Sequence, residues 1–94
     1  MKNSSEQFSQ APEIKEPELF SLTYREWQVL ILLSADRRNP EIAEALFLSA
    51  KSVETYITRI GNKLGLNGRD KLSRTARRNN AYLGDFFKRY YANC

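Results

Sequence analysis

Between Leu22 and Leu66 the chain reads LTYREWQVLILLSADRRNPEIAEALFLSAKSVETYITRIGNKLGL, and helix-start signals recur in it at Thr23, Asn39 and Ser49. Each is followed by apolar residues at helical spacing, so the segment has room only for short helices joined by tight turns. Thr23 and Glu26 stand at the spacing of a reciprocal capping box, with Leu22 and Trp27 placed as the hydrophobic staple outside it. This predicts a first helix from Thr23 to about Ser34. Its residues Trp27, Val29, Leu30, Ile31, Leu32 and Leu33 are all apolar, more than the single stripe that a surface helix buries. A second face of this helix therefore needs cover.

Asn39-Pro40 opens a second helix, with Asn39 as N-cap and proline at the first helical position, where its missing N–H costs nothing. Ile42, Ala43 and Leu46 face inward, and Phe47-Leu48 closes it. Ser49 caps a third helix, from Ala50 to about Leu64. There Val53, Ile57, Ile60 and Leu64 follow one another by steps that keep them on one side of a 3.6-residue turn, and they form the core face. Lys51, Thr55, Thr58 and Asn62 fall on the opposite side, flanked by Glu54 and Arg59. A cation, hydroxyls and an amide with no bulky apolar group can bond base edges and phosphates, or can simply face water. On this helix alone both readings stay open.

A fourth helix opens near Asn67-Gly68, with Asp70 in its first turn, and runs through Leu72 and Ala76 to about Asn80. Beyond it Tyr82, Phe86 and Tyr90 share one helical spacing, and Leu83, Phe87 and Tyr91 the next. That pattern predicts a short fifth helix with a broad aromatic stripe, despite Gly84. Residues 1–20 mix Ser, Gln and Glu with Pro12 and Pro17 and read as a flexible arm or linker, with Phe8, Ile14, Leu19 and Phe20 as its candidate anchors. The chain thus divides into an arm (1–20), a helical domain (21–80) and an aromatic extension (81–94).

Residues 1–20 carry two Lys against four Glu, whereas residues 21–80 carry eleven Lys plus Arg against six Asp plus Glu. The positive field belongs to the helical domain, as a phosphate-facing surface requires. The chain has no histidine, which removes the commonest general base and the commonest metal ligand, and it has no Gly-rich phosphate loop. Neither catalysis, nor a metal, nor a cofactor is expected. A single cysteine, Cys94, fits a reducing compartment, and no apolar run reaches membrane-spanning length. The expected location is the cytoplasm.

LTYREWQVL followed by NPEIAEALFLSAKSVETYITRIGNKLGL resembles the LuxR-type, or GerE-like, helix-turn-helix domain of bacterial transcription regulators. The likeness covers about Ser21 to Asn79, three helices in register without a gap. It implies an all-α, four-helix DNA-binding domain, here with the fifth helix appended, whose third helix lies in the major groove of double-stranded DNA. Carried onto matching positions, it implies that Lys51, Ser52, Glu54, Thr55, Thr58, Arg59 and Lys63 meet bases or phosphates. It also implies a homodimer on DNA with Arg69, Leu72 and Ala76 near the seam, RNA polymerase as a further partner, and a place at the nucleoid.

Several positions depart from the family's habit. Tyr56 stands where a histidine is usual, Gly61 where a larger side chain is usual, and Asn62 where a basic residue is usual. The loop Asp36-Arg37-Arg38 lacks the usual glycine. Trp27 and Ile31 are apolar where the family tends to be polar, so the aromatic segment Tyr82 to Tyr91 is expected either to fold back over them or to make a dimer contact. A second reading is a protein-interaction module that uses Trp27 and the aromatic tail, and a third a promoter-reading domain of a sigma-like factor, which the run EIAEALFLSAKSVETYI fits less well. Twenty residues ahead of the domain are too few for a sensing domain, so the chain is either a complete small regulator or an output domain.

Overall fold

The computed structural model describes residues 14–91, apart from the side chain of Arg69. The first thirteen residues of the expected arm, with Phe8 and Pro12, and the last three of the extension, with Cys94, lie outside the described residues. Among the described residues there are six helices and no strand: α1 (Glu16–Leu19), α2 (Tyr24–Ser34), α3 (Asn39–Leu46), α4 (Ala50–Leu64), α5 (Arg69–Arg78) and α6 (Asn80–Tyr91). None is long and apolar enough to cross a membrane. The five predicted helices are α2 to α6.

The start signals at Thr23 and Ser49 act where they were expected. Thr23 Oγ1 accepts from the Glu26 N–H at 3.1 Å and Glu26 Oε1 accepts from the Thr23 N–H at 2.9 Å, completing the box that starts α2. Leu22 and Trp27 are both buried beside it. Ser49 Oγ accepts from the Ser52 N–H at 3.0 Å and starts α4. The start of α3 differs by one residue. Asn39 is its first helical residue rather than its cap, and the Glu41 carboxylate reaches back to the Arg38 N–H at 2.8 Å. The Glu41 carboxylate satisfies the N–H of the cap residue Arg38, and Asn39 is left to be buried.

α2 is the centre of the molecule, because α3, α4, α5 and α6 all pack against it. This is the physical reason for its nearly continuous apolar run. Val29, Leu30 and Leu33 meet Val53, Ile57, Ile60 and Leu64 of α4, and Leu72 and Ala76 of α5, in one core. α6 covers the remaining face. Trp27 has no exposed surface, with Phe86 stacked on its ring at 5.4 Å and 11° and Phe87 tilted against it at 5.6 Å. Ile31 is partly buried against the same core. Of the two expected arrangements of the aromatic segment, the fold-back is the one formed, and it is made onto Trp27.

The arm is ordered into the core from Ile14 onward, contrary to the flexible segment expected up to residue 20. α1 is a single turn that buries Leu19, and the Leu19 carbonyl accepts from Trp27 Nε1–H at 3.2 Å. Pro17 does not prevent this, because a proline within the first turn of a helix removes no internal hydrogen bond.

Three helices end in the same way, with one left-handed residue and a hydrogen bond five residues back. After α2, Asp36 (φ 65) takes that position and Arg37 N–H bonds Leu32 O at 3.0 Å. After α3 it is Phe47 (φ 57), with Leu48 N–H on Ala43 O at 2.8 Å, and after α4 it is Gly65 (φ 68), with Leu66 N–H on Gly61 O at 2.8 Å. Aspartate tolerates this conformation, which is how the loop without a glycine makes its turn.

Candidate nucleic-acid interface

The capped start of α4 and its buried stripe fix which way its other side points. Val53, Ile60, Ile57 and Leu64 are at most 5% exposed, so the opposite face is solvent-facing by construction. Lys51, Glu54, Thr55, Thr58, Arg59 and Asn62 are all exposed, and Ser52 is half-buried. Within this face some donors are already used. Thr55 Oγ1 donates to Lys51 O at 3.1 Å, and Ser52 Oγ accepts from Ser49 Oγ–H at 3.1 Å as part of the cap. The Arg59 guanidinium lies over the Tyr56 ring at 5.6 Å, so the phenol ring offers its face to the cation. Beside the face, Asn39, Glu54, Thr58, Asn62 and Asn67 line a cleft of about 310 Å³. Its walls offer amides, a hydroxyl and a carboxylate, groups that form directional hydrogen bonds and carry no positive charge for a phosphate.

Lys63 is placed differently from the rest of the expected contact set. Its ammonium donates to Glu26 Oε1 at 2.8 Å and to Ser21 O at 3.0 Å, tying α4 to the start of α2. Glu26 is only 2% exposed. Burial alone would raise its pKa, but the hydrogen bond from Lys63, the Thr23 N–H and the fields of Lys63 and Arg59 outweigh it and hold Glu26 below the usual 4.5. Lys63 serves this pair and is turned away from the open face.

Two of the residues expected near a dimer seam lie inside the domain. Leu72 and Ala76 have no exposed surface, because that side of α5 packs against α2 inside the chain's own core. Neither offers exposed surface to a second copy. Arg69 opens α5, and its side chain lies outside those described. The exposed side of α5 carries Lys71 and Arg74, the latter paired with Asp70 at 3.3 Å.

Sequence reasoning left the pair Arg37-Arg38 in a loop without a role. Both are exposed at the N-terminus of α3, where they line a cleft together with Arg77, itself 3.3 Å from Asp36. The signal was present as two arginines directly before a helix start, where the helix dipole adds to their positive field.

A helix-turn-helix whose second helix is capped, buried on one side and open on the other is now matched by comparison with known proteins. The family model for bacterial regulatory proteins of the luxR family matches residues 20–76. The chain belongs to the LuxR family. Within it the chain is similar to the transcriptional regulatory protein LiaR of Bacillus subtilis, 42% identical over 59 residues, which are 63% of this chain and 28% of LiaR. It is also similar to the virulence-factor transcription regulator BvgA of Bordetella pertussis, 44% identical over 59 residues, with the same shares of 63% and 28%. The oxygen regulatory protein NreC of Staphylococcus aureus is 45% identical over 51 residues, 54% of this chain and 24% of NreC. The chain thus corresponds to about a quarter of the length of these LuxR-family relatives. No solved structure matches it.

Proposed function

We propose that this chain is a sequence-specific, non-catalytic DNA-binding transcription regulator, or the output portion of one, that lays α4 in the major groove. The observation that carries the reading is the exposed face of α4, held open by a buried stripe on its far side in a chain of the LuxR family. Lys51, at the positive end of the α4 dipole, meets phosphate there. Glu54, Thr55, Thr58, Arg59 and Asn62 face base edges, with Glu54 suited to accept from a cytosine amino group. Ser52 holds the cap and Lys63 holds the fold. Arg37 and Arg38 add phosphate contacts where the first helix of the motif crosses the backbone.

The reading includes a homodimer on two-fold related half-sites, action at the nucleoid in the cytoplasm, and RNA polymerase as the downstream partner. A seam on α5 would use its exposed side rather than Leu72 and Ala76. The alternative of an interaction module centred on Trp27 loses its central residue, because Trp27 lies under α6.

Selection of duplex oligonucleotides by the purified chain, followed by footprinting, tests the proposal. The expected result is one recurrent site with two half-sites about 10 bp apart or a multiple of that. Binding that stays indifferent to sequence at low salt overturns it.

A further inference from the structure

Phe47 is the one large apolar side chain of the described residues that is left almost wholly outside the fold, at 95% exposure. Its backbone is also in the left-handed region, at φ 57 and ψ 46. The two equivalent helix ends place Asp36 and Gly65 in that conformation, residues that adopt it readily, whereas a bulky side chain there is strained. The chain thus bears a backbone cost and an exposed ring at one position, and the ring gains nothing from its own protein in return.

We propose that Phe47 is a DNA-contacting residue whose ring packs against deoxyribose and thymine methyl groups at the edge of the major groove. The proposal rests on the reading of α4 as the groove helix. Phe47 joins the two helices of the motif, two residues before the Ser49 cap and four before Lys51, so it lies at the end of α4 where the helix dipole and Lys51 draw phosphate. Its surroundings favour DNA over a protein partner. Leu46 and Leu48 are drawn into the core, and the exposed neighbours are the small, polar or charged Glu44, Ala45, Ser49, Ala50 and Lys51. A protein interface needs a contiguous apolar patch, which is missing, whereas a single ring among hydroxyls and a cation fits the alternating apolar and anionic edge of a groove.

The left-handed conformation makes the test clean, because Phe47→Gly and Phe47→Asn remove the ring and suit the backbone better. Each variant of the full chain is titrated by fluorescence anisotropy against the duplex that the wild-type chain selects, at several salt concentrations. Melting temperatures are measured alongside. Both variants are expected to melt at or above the wild-type temperature and to bind about tenfold more weakly, with an unchanged slope of log affinity against log salt, because an apolar ring displaces no counterions. Phe47→Leu, which keeps an apolar contact, is expected to retain most of the affinity. Binding of Phe47→Asn within twofold of wild type overturns the inference, as does a loss confined to Phe47→Gly, which would trace to the backbone. If Lys51→Ala weakens binding while the Phe47 variants do not, only this inference fails. Should the wild-type chain select no duplex, the reading of α4 itself fails.

Discussion

A carboxylate with as little contact with water as Glu26 is stable only where its charge is matched, and Lys63 supplies the match at 2.8 Å. The folded pKa lies below the ordinary 4.5, so the pair's contribution is complete at neutral pH and is lost as pH falls through the folded value. Glu26→Gln is expected to destabilise the chain by about 1–2 kcal/mol at pH 7. The gap from wild type should close as urea denaturation is repeated at pH values below 4.5, since only the wild type has a group there to protonate. A gap that stays constant with pH would assign the loss to packing instead. Gly61 poses the opposite kind of residue question, because alanine is intrinsically the better helix former by about 1 kcal/mol. Here a Cβ would come within 2.9 Å of the Leu66 carbonyl oxygen, a backbone atom of the turn that closes α4. Gly61→Ala is therefore expected to cost about 1–3 kcal/mol through displaced backbone, read as a lower urea midpoint. The glycine that departs from the family's habit is explained by this close approach.

At the scale of elements, α6 stands or falls with its grip on α2. Phe86 is buried between Trp27 and Phe20, with ring centroids 5.4 and 5.3 Å away, so Phe86→Ala should cost about 3 kcal/mol. Truncation after Asn80 should expose Trp27 and shift its fluorescence to longer wavelength; an unshifted spectrum would mean that α6 does not cover it in solution. The cover was legible because α2 had apolar residues to spare and the tail had aromatic residues at helical spacing. Likewise the bounds of α4 and its buried stripe followed from Ser49 and the spacing of Val53, Ile57, Ile60 and Leu64. What escaped reading depends on partners distant in sequence. α1 is one turn held by the bond from Trp27 to Leu19 and by the burial of Ile14 and Leu19, none of which local propensity reports. Lys63 was carried into the contact set by resemblance, and no local spacing could report its partner Glu26, which lies 37 residues earlier. Leu72 and Ala76 were carried to a dimer seam by resemblance, and only the packing of α5 on α2 shows that side to be interior.

For the whole molecule, the two lysines of α4 separate what holds the domain together from what attracts a polyanion. Lys51 is exposed at the positive end of the helix and has no ion pair in the chain's described contacts, whereas Lys63 is matched by Glu26. A protein cation that is already neutralised by a buried carboxylate displaces no counterion from DNA, so of these two lysines Lys51 alone should count in the salt dependence. Lys51→Ala is expected to leave the urea midpoint within experimental scatter and to reduce the slope of log affinity against log salt by about 1. Lys63→Met should do the reverse, lowering stability by about 2 kcal/mol because Glu26 is left buried without a partner, while the slope stays unchanged. Measuring both variants by denaturation and by DNA titration therefore yields a crossed pattern. If Lys63→Met also lowered the slope, the ion pair with Glu26 would have to open on DNA, and the binding face would extend along α4 to its C-terminal turn. If Lys51→Ala left the slope unchanged, the phosphate contacts would have to come from elsewhere, with Arg37 and Arg38 at the start of α3 as the next cations to replace.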